Sequence, residues 1–60
     1  MYIVRFITKS GMNKDFHYNN AQEALSCMKS FANDKSGRYA RIELIYIEDC
    51  EIIVTALSFE

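Results

Sequence analysis

Sixty residues, half of them apolar and a quarter charged, describe one globular domain and not a disordered chain. A formal net charge of −1 gives no electrostatic reason to expect nucleic acid or an anionic membrane. Two cysteines and a single histidine exclude a disulfide framework and a four-ligand zinc site, so no metal and no cofactor is expected.

The first element in chain order is Tyr2-Ile3-Val4-Arg5-Phe6-Ile7-Thr8, rich in β-branched and aromatic residues and therefore a strand. Ser10-Gly11-Met12-Asn13 is a turn signal. Lys14–Tyr18 then alternates, with Phe16 and Tyr18 facing in and Asp15 and His17 facing out. So polar a strand suits a sheet edge. Asn20 is a good N-cap, with Glu23 three residues on in the position of a capping box. Ala21, Ala24, Leu25, Met28, Phe31 and Ala32 follow the i, i+3, i+4 spacing of one buried helical stripe. The run Asn33-Asp34-Lys35-Ser36-Gly37 ends that helix, Gly37 being free to take positive φ.

Tyr39–Ile47 and Glu51–Phe59 read as a closing hairpin turning at Glu48–Glu51. If Glu48 pairs with Glu51, one face holds Ala40, Ile42, Leu44 and Tyr46 opposite Phe59, Leu57, Thr55 and Ile53. That face meets the helix. The reverse face pairs Ile47 with Ile52, Ile45 with Val54, Glu43 with Ala56 and Arg41 with Ser58. A slip of one residue would exchange the two faces. The predicted architecture is α+β, ββαββ: a four-stranded, mostly antiparallel sheet with one helix on one face. The first strand can sit beside either the third or the fourth.

One helix covers only one side of such a sheet. Ile45, Ile47, Ile52 and Val54, with Ile3 and Ile7 nearby, would form an apolar patch on the other side. Each aliphatic side chain buried there contributes about 1.5–3 kcal/mol, which matters to so short a chain. The patch is therefore read as a contact for a second copy, giving a homodimer, or for a different protein partner. The bland alternative is that β-branched residues suit strands anywhere and tolerate exposure.

The alternative function class is a nucleic-acid- or nucleotide-binding module on the basic segment Lys35, Arg38, Tyr39 and Arg41. Against it, the aromatic residues fall on the core side and the last hairpin is acidic. Residues 1–41 hold seven basic against three acidic side chains, a net of +4; residues 42–60 hold five acidic ones, a net of −5. In a compact domain the two halves interleave, so self-complementary packing explains this asymmetry as well as a partner does. No catalytic constellation emerges: His17 beside Asp15 has neither a nucleophile nor a cleft to serve. The chain is read as non-enzymatic. With no secretory signal and no apolar run of ~18 residues, a cytoplasmic protein without a membrane partner is expected.

The opening MYIVRFITKSG, the NNAQEALSCMKSF helix and the closing hairpin resemble the small single-domain products encoded by bacteriophages and prophages. The resemblance is one of style over the whole chain: short, without proline, with a strand starting at residue 2. It implies a protein that works by binding, either to another protein, as an inhibitor of a host or defence protein does, or to nucleic acid or a signalling nucleotide, often as an oligomer, and it assigns no functional residue.

Overall fold

A computed structural model describes residues 1–59. The elements run β1 (Tyr2–Thr8), β2 (Asn13–Tyr18), α1 (Ala21–Ser30), β3 (Tyr39–Ile47) and β4 (Glu51–Ser58). All strand pairings are antiparallel, in the order β2-β1-β3-β4. The fold is the predicted α+β, ββαββ sheet with one helix. The open point of strand order resolves with β1 against β3, which puts β2 and β4 at the two edges.

Local chemistry accounts for the breaks between elements. Gly11 takes φ +91° in the β1–β2 turn, a conformation that only glycine adopts without strain, and its N–H donates to the Thr8 carbonyl at 3.0 Å. The Glu23 N–H donates to Asn20 Oδ1 at 2.8 Å, which satisfies one of the orphan amides of the first helical turn. The helix closes at Ser30, two residues before the apolar stripe ends at Ala32. Phe31 is its C-cap, and the Phe31 and Ala32 amides donate to the carbonyls three residues back.

The core lies between α1 and the sheet. Val4, Phe6, Ile42 and Leu44 meet Ala24 and Met28, with Tyr2, Tyr18, Leu25, Phe31, Tyr39, Leu57 and Phe59 partly buried around them. Phe6 is the aromatic centre, its ring 4.9 Å from Phe31, 5.2 Å from Tyr39 and 5.5 Å from Phe16. The helix packs on β1, β2 and β3 and leaves β4 outside its footprint.

The β3–β4 register follows the predicted pairing from Arg41↔Ser58 to Leu44↔Thr55 and then departs from it. Ile45 pairs with Ile53, Tyr46 with Ile52 and Ile47 with Glu51, so Val54 is the extra residue of a β-bulge. The predicted partners of Ile45, Tyr46 and Ile47 are corrected by one position, and Ile52 moves to the helix side of the sheet opposite Tyr46. A bulge raises local twist and bends its strand.

The face away from the helix is organised by charge. Asp15, Arg5 and Glu43 lie in one row across β2, β1 and β3. Arg5 grips Asp15 with two bonds, Nε–Oδ1 at 2.9 Å and Nη2–Oδ2 at 3.0 Å, while Nη1 reaches Glu51 Oε1 at 3.5 Å. Arg41 Nε bonds Glu43 Oε2 at 2.9 Å. Glu51 is two strands away from Arg5 and four residues off in register, so the hairpin tip must curl towards this face for them to meet. Some of the charge asymmetry between the two halves of the sequence is thereby spent inside the fold.

The Arg5 clamp gives a pH prediction. Its hydrogen bonds hold the Asp15 carboxyl below the ordinary carboxylate range, with partial burial opposing the shift. A carboxyl whose folded pKa is depressed contributes stability above its unfolded value of about 3.9, and loses it as pH falls through the folded one. The Asp15 side chain keeps about 30% of its accessible surface, so solvent screening limits the pair to about 1 kcal/mol. Asp15→Asn is expected to lower the urea midpoint at pH 7, and the difference from wild type should vanish by pH 2. A gap between the two that stays constant with pH would show that the clamp does not carry it.

Candidate functional site

Of the six aliphatic residues expected to form one accessible patch, two are already buried within the chain. Ile3 is 4% exposed and Ile45 1%. They are adjacent partners on β1 and β3, standing on the face that α1 does not cover. Arg5 and Glu43, two positions along those strands on the same face, keep only 22% and 11% of their side-chain surface. Their charged ends are paired, Arg5 with Asp15 and Glu51, and Glu43 with Arg41. As contact residues for a partner, Ile3 and Ile45 are therefore withdrawn; they form a small second core that the protomer completes by itself. Ile7 and Ile47 are half-buried.

What remains open is β4. Ile52, Ile53 and Val54 are 53%, 54% and 55% exposed, three consecutive large aliphatics on an edge strand. Ile52 and Val54 were expected in the contact; Ile53 was assigned to the core. The sequence signal for all three was the same uninterrupted apolar run, Ile52-Ile53-Val54, which has no alternation to set its phase. The bulge at Val54 turns the run so that no single face of the sheet absorbs it.

Next to these residues, on the helix side, a groove of about 210 Å³ runs between α1 and β4. Leu25, Met28, Lys29 and Ala32 form one wall, and Thr55 and Leu57 the other. Ligand pockets usually span about 300–1,000 Å³, so this groove is sized for one or two side chains and not for a cofactor. It exists because the helix stops short of β4.

The two sheet edges differ in chemistry. β2 is short and polar, with Lys14 and His17 exposed and Asp15 tied to Arg5, features that oppose the addition of a further strand. From Ile52 to Ser58, β4 carries no charged residue at all. Its outer backbone N–H and C=O groups face no neighbouring strand among the described residues.

The basic segment does not assemble into one surface. Tyr39 is half-buried, its ring 5.2 Å from Phe6 and 6.0 Å from Phe31, and so is not free to stack on a base. Arg41 is held by Glu43 on the face away from the helix. Lys35 and Tyr39 line a cleft of about 480 Å³ with Lys9, but Asp34 stands in the same lining, and Arg38 and Arg41 are not part of it. Asp15, read with His17, is committed to Arg5. Among the described residues there is no cluster of three or more His, Cys, Asp or Glu side chains able to hold a metal. No helix is long and apolar enough to cross a membrane. Comparison of the chain with protein-family models, with curated proteins and with solved structures returns no match.

Proposed function

We propose that this protein is a non-enzymatic protein-interaction module and that β4, with the groove beside it, is the surface it offers to another polypeptide chain. The observation that carries the reading is the exposure of Ile52, Ile53 and Val54 together on an unguarded edge strand. Single exposed aliphatics are ordinary, whereas contiguous ones beside free backbone groups mark sites of association. Two modes of contact coincide here. Strand addition supplies main-chain hydrogen bonds, and the groove supplies a pocket for side chains.

Hydroxyl-radical footprinting tests this directly. Ile52, Ile53 and Val54 should be labelled less in cells that make the protein than in dilute purified protein. Met12, 71% exposed on the opposite hairpin, is the internal control and should label equally in both. Equal labelling of the β4 residues in the two conditions would overturn the reading.

A further inference from the structure

We propose that the chain covering β4 is a second copy of this protein, joined edge to edge through antiparallel β4 strands into one continuous eight-stranded sheet. The inference rests on β4 being the interaction surface, and names its occupant. A two-fold contact sets the same patch against itself, so any charge in the patch meets its own image or a near neighbour of it. The uncharged stretch Ile52–Ser58 incurs no such repulsion, and Glu51 lies at its end, where antiparallel pairing carries it away from its counterpart. The β2 edge, with Lys14, Asp15 and His17, has no comparable segment.

The geometry of the groove agrees. A strand added beside β4 continues the sheet beyond the edge that α1 leaves uncovered. Its helix-side residues then lie next to Thr55 and Leu57, at the mouth of the groove formed with Leu25, Met28, Ala32 and a charged lining residue, Lys29. By symmetry each copy closes the other's groove. The size needed is modest. A specific interface needs about 1,000 Å² in total, or about 500 Å² from each copy. The accessible surface of the chain is 4265 Å², so roughly an eighth of it is required. An eight-residue strand with three half-exposed aliphatics and one groove wall is an adequate source.

The test is molar mass by light scattering across a wide concentration range, paired with amide hydrogen exchange. Wild type is expected to show twice the monomer mass, with outward-facing β4 amides whose exchange slows as concentration rises. Ile53→Lys combined with Val54→Lys should weaken dimerisation at least tenfold and leave the far-UV circular dichroism unchanged, since both sites are more than half exposed. A monomer at all concentrations overturns the proposal. So does a dimer whose β4 amides exchange at the same rate when diluted, because that dimer joins elsewhere. Either result leaves the interaction reading standing if the footprint at Ile52, Ile53 and Val54 is still protected in cells; loss of both ends both.

Discussion

Phe6→Ala is expected to be the most damaging truncation on the helix side of the sheet, costing about 3–5 kcal/mol. The ring is 3% exposed and touches an aromatic from each neighbouring segment: Phe16 on β2, Phe31 at the end of α1 and Tyr39 at the start of β3. Its loss removes transfer free energy and edge-to-face contacts together, and opens a cavity that three other rings cannot fill without moving. A sixty-residue domain at about 0.05–0.15 kcal/mol per residue has roughly 3–9 kcal/mol in all. The variant should therefore unfold at low urea, or be unfolded already, by circular dichroism. Phe16→Ala is the comparison: that ring is 41% exposed, and its truncation should cost clearly less. Equal losses from the two would mean that Phe6 is not the centre of the cluster.

Ile45→Lys and Val54→Lys are expected to have opposite outcomes, although the alternating pattern of the sequence places the two residues together. Ile45 is 1% exposed and flanked by Ile3 and Ile53. A lysine there buries an ammonium with no carboxylate directly opposite it, the class of change that exceeds about 4 kcal/mol. Against the same total of a few kcal/mol, it should abolish the folded state. Val54→Lys extends from the bulge into solvent and should shift monomer stability by no more than about 0.5 kcal/mol. Ile45→Val, which keeps the site apolar, is expected to cost about 0.5–1.5 kcal/mol and confirms that the lysine acts by its charge. A folded Ile45→Lys protein would show that this face is open after all.

Which parts of this fold could be read in advance follows from where the pattern carried phase information. Asn20 with Glu23 and the stripe that begins at Ala21 state local preferences that packing does not contradict, and the helix starts where they put it; it ends at Ser30, short of Ala32 and of the stop at residues 33–37. From Arg41 to Leu44 polar and apolar residues alternate, a slip would put Arg41 and Glu43 in the core, and the pairing is as expected. At Ile52-Ile53-Val54 three aliphatics follow one another. Either phase then satisfies the pattern, and the bulge has no glycine to announce it. The burial of Ile3 and Ile45 was hidden for a different reason. On that face Arg5 meets Asp15 and Glu51, contacts 10 and 46 residues apart in the chain that no local spacing encodes. The candidate surface was thus half legible: Ile52 and Val54 were in view, and the groove, set by where the helix stops, was not.

The unequal edges of the sheet bear on how far association of this fold can go. A sheet with two adhesive margins grows without limit, each added copy exposing another margin for the next. On the proposed pairing only the β4 margin would be adhesive, because the short, polar β2 strand with Lys14 and His17 guards the other. If two copies join along β4 as proposed, both outer margins of the pair would be the polar β2 strands, and growth would stop. Stripping the charge from β2 would remove that stop and turn a self-terminating pair into a seed for fibres.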